Sequence, residues 1–295
     1  MKSPKNLNLR KTNFYEFKNK KTSFFHRHIG MSAYLHISVF LLSAFCFQFS
    51  YSQSNDSLRK INNEAFSEGE FLKYRIHYGW ITAGEATLEI QKENYEVNDR
   101  NCFRMIAKGR SQGITDVLYK VRDKYESYVD KESIIPLKSI RDIREGDYKS
   151  YDEITYNPFT DTITSQLYGK KQMPDNIQDL LSAFYFARCY VFANAKPGDT
   201  LVINTFFDGE LFPMVVRYAG KEKVETDLGI FNCLKLFPLV EEGRVFKSKE
   251  DVRIWVTDDK SFIPVRIQSD IIVGSVKFDL VEYSGLRNRL INLED

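Results

Sequence analysis

The sequence predicts a mainly β protein in which a large antiparallel sheet curves, or closes into an incomplete barrel, with one buried helix. Two observations predict this fold class. Short segments after residue 66 alternate apolar and polar residues, the pattern of strands with one buried face. One segment, at about 177–193, instead has helical spacing. About a dozen strands in one open sheet favour curling.

The first two strands form an antiparallel pair. In Phe71–Tyr78, even-numbered apolar residues share one face and polar residues share the other. Gly79 and Gly84 bracket a turn, and the alternation resumes on the way back to Ile90. These two runs are therefore expected to pair with each other.

The alternating pattern continues along the chain. Asp208-Gly209 joins two of the runs and is a strong signal for a two-residue hairpin, because a type I′ turn needs positive φ at both positions. Gly113–Tyr119 is expected to form a short helical turn. The remaining predicted strands are Cys102–Lys108, Lys124–Val129, Leu137–Arg144, Tyr148–Tyr156, Thr160–Tyr168, Thr200–Phe207, Leu211–Tyr218, Gly229–Phe237, Asp251–Val256, Pro264–Ser269 and Gly274–Tyr283.

The predicted helix spans Ile177–Ala193, which contains neither Gly nor Pro. Asp175 and Gln178 have the spacing of a capping box, which would satisfy free N–H groups at the helix start. The segment is apolar on nearly all sides, and such helices are usually buried. We expect it to pack on the concave face of the sheet or to plug its open end.

Residues 1–53 are interpreted as a leader and signal peptide. A basic stretch precedes eleven uncharged residues, Ile37–Phe47, and polar residues follow, with cleavage expected near Gln53. An uncleaved membrane anchor and lipidation at Cys46 are the alternatives. Translation could begin at Met1 or at Met31.

The rest of the chain is expected to comprise a disordered or short N-terminal segment, 54–65, and a single β domain, 66–295. No repeat or Pro/Ser-rich linker divides that domain. Two coupled half-sheets hinged near Lys170–Asn176 are the alternative.

The charge composition argues against binding of nucleic acid. The chain carries 42 Lys plus Arg and 40 Asp plus Glu, but residues 1–53 hold eight of the bases and one acid, which leaves the remainder at net −5. A nucleic-acid partner would need a concentrated basic face and is not expected. We expect at most a peripheral association with membranes.

The three cysteines beyond the signal, Cys102, Cys189 and Cys233, allow one disulfide in an oxidising compartment. The alternative is three small buried apolar side chains. Spacing does not choose among the three pairings.

The sequence contains no recognisable catalytic set. His77 is the one histidine beyond the signal, and its strand position favours a solvated or cross-strand role. Asp258-Asp259 and Asp208-Gly-Glu210 lie where the chain reverses, so turn formation is favoured over acid–base chemistry. A hydrolase using Asp258 and Asp259 remains a third hypothesis. No metal site or cofactor is expected.

Two charges stand out on the apolar helix. Asp179 and Arg188 are nine residues apart, so they project from opposite sides and cannot pair with each other. Each is expected either to form a salt bridge to a neighbouring strand or to bind an anionic or polar ligand. Several aromatic residues could line a cavity or simply fill the core. The candidate ligand-binding residues are Tyr74, Tyr78, Phe184, Arg188 and Trp255.

Four stretches together resemble DUF3108, a family of exported bacterial proteins of unknown function. They are residues 74–84 (YRIHYGWITAG), 179–188 (DLLSAFYFAR), 196–199 (KPGD) and 255–266 (WVTDDKSFIPVR). The resemblance spans roughly residues 66–285, and the leader resembles those of exported Bacteroidetes-type proteins. It implies an exported, mostly β protein with structural roles for Gly79, Gly84, Asp179, Gly198, Asp199, Asp258 and Pro264. The segment Ile254–Ile267 also faintly resembles periplasmic lipoprotein carriers.

These observations lead to three functional hypotheses. The first is a non-catalytic, periplasmic envelope protein with a cavity for a lipid-like or other hydrophobic ligand between sheet and helix. The second is an interaction or scaffolding module for envelope polysaccharide or protein assembly. The third is the carboxylate-dependent hydrolase.

Overall fold

The computed structural model describes residues 58–190, 195–240, 248–272 and 274–293. The predicted leader and signal peptide, Cys46 and the last residues of the predicted helix lie outside these ranges. The described residues from Phe71 to Ser284 form a mainly β structure built on one antiparallel sheet.

The first half of the chain contributes nine strands and a short helix. These elements are β1 (Phe71–Tyr78), β2 (Ile81–Ile90), β3 (Tyr95–Val97), β4 (Arg100–Ser111), α1 (Gly113–Leu118), β5 (Arg122–Asp130), β6 (Pro136–Glu145), β7 (Tyr148–Asn157), β8 (Thr162–Ser165) and β9 (Gly169–Gln172). Consecutive strands pair with each other, except that β2 pairs with β4 and β3 pairs with β4 alone.

The second half begins with a helix and adds six strands. They are α2 (Leu180–Arg188), β10 (Thr200–Phe207), β11 (Glu210–Thr226), β12 (Gly229–Pro238), β13 (Val252–Thr257), β14 (Pro264–Asp270) and β15 (Ser275–Ser284). Asp208 and Gly209, at φ values of 51° and 77°, form the predicted hairpin turn between β10 and β11.

The last strand pairs with the first, so both lie inside the sheet and not at its edges. Phe71 on β1 lies opposite Ser284 on β15, and the strand order runs from β10 through β15 and β1 to β9. The two outer strands, β9 and β10, are not hydrogen-bonded to each other, so the sheet is not closed into a barrel. Gln178 lies beside β10, where it donates its backbone N–H to Asn204 and accepts from Phe206.

Helix α2 packs on the inner face of this sheet. Leu181 and Tyr185 contact the core residues of β4 and β5, and Ala183 contacts Leu201 and Ile203 of β10. Because strands from both halves contact the same helix, the sheet must curl around it. Every residue of α2 is buried or half-buried, as its apolar composition predicts.

The predicted bounds and cap of this helix were wrong. The helix begins at Leu180, not Ile177, because the backbone of Gln178 is engaged by β10. The capping box is formed by Asp179 and Ser182 instead of Asp175 and Gln178. The Asp179 carboxylate accepts from the Ser182 N–H, and the Ser182 hydroxyl lies 2.9 Å from the Asp179 nitrogen.

The segment before β1 is ordered where it is described. Ala65 and Phe66 are buried, and Ile61 donates its N–H to the carbonyl of Glu132. These contacts attach residues 58–65 to the β domain, and the assignment of 54–65 as a separate segment stays a prediction.

The three cysteines in the described residues are free thiols. Cys102 and Cys233 are fully buried, and Cys189 is half-buried at the end of α2. Burial raises the pKa of each thiol to about 12, so all three are protonated and unreactive near neutral pH.

Candidate functional site

An apolar cavity of about 470 Å³ lies on the inner face of the sheet, over β2, β4 and the start of β5. This volume falls within the range of about 300–1,000 Å³ that is typical of small-molecule sites. Its lining comprises Ile76, Ala83, Gly84, Ala86, Thr87, Leu88, Ala107, Lys108, Gly109, Arg110, Ser111, Thr115, Val121, Asp123, Tyr125 and Phe278.

The cavity exists because two adjacent strands carry small residues on the same face. Ala86 on β2 lies opposite Gly109 on β4, and Leu88 lies opposite Ala107. Elsewhere on this face, large side chains such as Met105 and Tyr185 fill the space beneath α2. Small residues in register therefore leave a volume that the helix does not reach.

Two glycines of the cavity have different roles. A Cβ atom on Gly84 would lie 2.3 Å from the carbonyl oxygen of Arg110, so the close approach of β2 and β4 requires glycine. A Cβ atom on Gly109 would meet nothing within 4 Å. Gly109 thus contributes space to the cavity, and a larger side chain there would occupy it.

The charged side chains that line the cavity are Lys108, Arg110 and Asp123. Asp123 lines it and accepts a hydrogen bond of 3.0 Å from the backbone N–H of Arg144. Burial, together with the Asp123 carboxylate, raises the pKa of the neighbouring Glu145. Burial also raises the pKa of Tyr125. Charges of both signs therefore border the cavity.

The cavity extends from the core to one end of the strands. Leu88, Ala107 and Tyr125 pack against the core at its inner end. At its outer end Ser111 and Thr115 lie where β4 meets α1.

Side-chain contacts hold α1 at this outer end. Arg122 donates to both carboxylate oxygens of Asp116, at 2.7 and 3.1 Å, and the Ser111 hydroxyl donates to the same carboxylate at 2.6 Å. These hydrogen bonds lower the pKa of Asp116 to about 2.

The five predicted ligand-binding residues do not line this cavity. Tyr74 and Trp255 lie together in another core cluster, where the Tyr74 hydroxyl donates to the Pro264 carbonyl and the Trp255 indole donates to Glu222. Burial raises the pKa of Tyr74. Their aromatic rings therefore fill the core, and a ligand role for them stays a prediction.

The other three predicted residues are separated from one another. Phe184 packs edge-on against Tyr185 at the helix, and Tyr78 is 39% exposed at the end of β1. Arg188 is buried and donates to both carboxylate oxygens of Glu70. Burial alone would lower the pKa of Arg188, but its contacts with Glu70 outweigh that effect and the pKa is raised. Arg188 thus forms the salt bridge that was one of its two expected roles.

The candidate catalytic carboxylates belong to a turn. Asp258 is exposed and pairs with Lys221, while Asp259 accepts hydrogen bonds from the Thr257 hydroxyl and two backbone N–H groups. His77 is half-buried on β1. Among the described residues, no group of three or more His, Cys, Asp or Glu side chains could hold a metal ion.

The family model for "Protein of unknown function (DUF3108)" matches residues 73–281. The chain belongs to the DUF3108 family. No protein with curated annotation matches the sequence.

Several motif residues of this DUF3108 chain have structural roles. Gly79 has a φ of 59° in the β1–β2 turn, and Gly198 has a φ of 103° in the turn before β10. The Asp199 carboxylate in that turn accepts from the backbone N–H of Lys196. Asp179 caps α2, and Pro264 begins β14.

Three crystal structures are similar to the DUF3108 chain. A β-barrel-like protein of the DUF1849 domain from Brucella abortus has a TM-score of 0.48 and 8% identity, covering 77% of this chain and 99% of its own. A putative lipoprotein from Parabacteroides distasonis has a TM-score of 0.34 and 10% identity, covering 77% and 100%. A DUF1089 family protein from Pseudomonas aeruginosa has a TM-score of 0.34 and 11% identity, covering 70% and 92%.

Helices in the described part of the DUF3108 chain are too short or too polar to cross a bilayer.

The sequence does contain a signal for the cavity, which lies in small residues and not in the aromatic residues. Gly84 and Ala86 occupy every second position on β2, as Ala107, Gly109 and Ser111 do on β4. Small inward residues at neighbouring positions of two strands indicate a face with unfilled volume. This interpretation required the pairing of β2 with β4, which the strand pattern alone left undefined.

Proposed function

We propose that this protein is an exported, non-catalytic envelope protein that binds a lipid-like ligand in the cavity over β2 and β4. The observation that carries the proposal is the apolar cavity of about 470 Å³ above Ala86, Ala107 and Gly109. Transfer of an alkyl chain from water into such a site contributes about 0.8 kcal/mol per buried methylene.

Charged groups of both signs border the cavity. Lys108 and Arg110 line it together with Asp123. The lining therefore does not select one charge at the polar end of the ligand, and the proposal specifies the apolar chain alone.

Export is supported by the sequence. Basic residues precede the uncharged run Ile37–Phe47, and polar residues follow it, as in secretory signal peptides. The absence of catalysis is supported by the turn hydrogen bonds of Asp259 and the ion pair of Asp258. Periplasmic placement is part of the proposal.

The test is displacement of a neutral fluorescent dye, N-phenyl-naphthylamine, by a series of linear alcohols that includes dodecanol. Affinity should rise about fourfold for each methylene added to the alcohol, as burial of a methylene predicts.

Substitution of Gly109 locates the site. Gly109→Leu should abolish dye binding, since its side chain would enter open space, while Phe159→Leu, in an exposed turn, should leave it unchanged. Dye binding that survives Gly109→Leu, or displacement that does not strengthen with chain length, would contradict the proposal.

A further inference from the structure

The most exposed apolar side chains in the described residues lie at one end of the strands. Trp80 is 92% exposed, Val117 is 80% exposed and Leu118 is 78% exposed. Trp80 follows the end of β1, and Val117 and Leu118 belong to α1, which follows the end of β4. The Gln112 N–H, just before α1, donates to the Ala83 carbonyl near the start of β2 and thereby links these two regions.

The short helix α1 exposes its apolar residues to water, whereas a surface helix usually turns them towards the core. Ile114, Val117 and Leu118, at positions i, i+3 and i+4, form one apolar face that is open to water. The acid of this helix, Asp116, is instead held by Arg122 and Ser111. No residue of α1 is buried. The fold thus fixes this helix with its apolar face outwards. We call Trp80, Ile114, Val117 and Leu118 the apolar tip.

Tyrosine and lysine residues adjoin the apolar tip. Tyr119 packs over Gly146 in the β6–β7 turn, and the Gly146 N–H donates to the Lys120 carbonyl. Tyr119 and Lys120, which precede β5, are exposed, as are Tyr148 and Lys149 at the start of β7. Asp147 is the exposed acid between them, so this set carries a net positive charge.

We propose that the apolar tip docks on the surface of a phospholipid bilayer that contains anionic lipid. Trp and Tyr are enriched at membrane interfaces, and Lys beside them attracts anionic headgroups. The tip consists of projecting side chains on two turns, which suits insertion among headgroups.

Continuity with the cavity supports a lipid surface as the occupant. Thr115 and Val121 line the outer end of the cavity and flank the exposed residues of α1. Docking would place that opening at the bilayer, where an apolar ligand is concentrated. The inference in this respect rests on the proposed function, and it identifies the source of the ligand.

The chain provides its own reporter of docking. It contains two tryptophans, of which Trp80 is exposed and Trp255 is only 6% exposed. The purified protein is mixed with vesicles of phosphatidylcholine and phosphatidylglycerol that carry brominated acyl chains. Trp80 emission should shift to shorter wavelength and be quenched by at least half, while that of Trp255 should persist.

A matched pair of variants tests the apolar tip. The double variant Val117→Asp with Leu118→Asp should reduce the quenching at least tenfold, because charges replace the inserted face. Phe159→Asp, at an exposed aromatic residue in the β7–β8 turn at the opposite end of the strands, should quench as the unaltered protein does. Unchanged dye binding by the tip variant would show that it is folded.

Three results would overturn the inference: no quenching of the unaltered protein, full quenching of the tip variant, or shielding of Trp80 without vesicles as protein concentration rises. The last result would assign the tip to a second copy of the chain. Failure of the proposed function is distinguished by Gly109→Leu, which should lose dye binding yet retain quenching. If dye binding has no dependence on Gly109 but quenching depends on the tip, the docking inference stands and the cavity proposal fails.

Discussion

Arg188 and Glu70 form a buried ion pair with two hydrogen bonds, at 2.5 and 2.9 Å, between the end of α2 and the residue before β1. Their side chains are 2% and 0% exposed. Arg188 also donates to the Ser261 carbonyl in the β13–β14 connection. This one side chain therefore ties the helix to both halves of the sheet.

Breaking this pair should be strongly destabilising. Arg188→Met leaves the Glu70 charge buried without a partner, which should lower the free energy of unfolding by about 3–5 kcal/mol. Glu70→Gln should also be destabilising, and the double variant should lose less than the sum of the two. Urea unfolding of the four proteins measures the coupling, and additive losses would contradict it.

The close approach of β2 and β4 at Gly84 gives a second prediction. Gly84→Ala places a Cβ atom 2.3 Å from the Arg110 carbonyl oxygen, and this overpacking should cost about 1–3 kcal/mol. Gly109→Ala, on the neighbouring strand with open space around it, is the matched control and should stabilise by about 0.5 kcal/mol. Equal effects of the two substitutions on thermal unfolding would contradict the close contact predicted for a Cβ atom at position 84.

At low pH, α1 should lose the hydrogen bonds that hold the Asp116 carboxylate. The pKa of Asp116 is lowered to about 2 by hydrogen bonds from Arg122 and Ser111. Because the folded-state pKa lies below the ordinary value, the stabilisation is complete above about pH 4 and is lost as the pH falls through 2. NMR titration of the Asp116 carboxyl carbon should have a midpoint near 2.

Variants separate the contributions to that midpoint. Arg122→Gln should raise it towards the ordinary value, since the leading hydrogen bonds are lost. Lys120→Gln removes a minor electrostatic contribution and should leave it near 2. A midpoint near 3.8 in the unaltered protein would show that Arg122 and Ser111 do not hold the Asp116 carboxylate.

The cap of α2 has the opposite pH dependence. Burial raises the pKa of Asp179, although hydrogen bonds from Ser127 and Ser182 oppose this shift. A raised folded-state pKa means that the titration of Asp179 favours the folded state below the ordinary pKa and that this contribution is lost as the pH rises through the folded-state value. Asp179→Asn should remove this dependence and retain the cap.

Asp179→Ala removes the cap itself and should cost about 0.5–2 kcal/mol. Urea unfolding at pH 7 and at pH 4 distinguishes the two variants. If Asn and Ala were equally destabilising at pH 7, the carboxylate charge rather than the hydrogen bond would be the important feature.

Most strands were predictable because their apolar residues alternate between core and solvent. In β1, Leu72 and Tyr74 are buried, as the period of two requires. The strands β3 and β9 were missed, since they have three and four residues and carry no clear alternation. Their positions depend on pairing with β4 and β8.

Errors at other boundaries came from distant contacts. A single strand was predicted at Thr160–Tyr168, yet the chain turns after Ser165, where Asp152 on β7 accepts from the Leu167 N–H and the Ser165 hydroxyl. Helix α2 starts late because β10 pairs with Gln178. The cavity was missed for a similar reason, as it depends on which strands of small residues become neighbours.

The pairing of β1 with β15 constrains the order in which the chain folds. The first strand lacks one neighbour until the final strand has emerged, so the sheet cannot be completed during synthesis of its first half. Contacts between distant parts of a chain form slowly. A product that ends before β15 would carry free edges on both β1 and β14, and such edges promote aggregation. The edges of β1 and β14 are therefore covered only when β15 has paired with both.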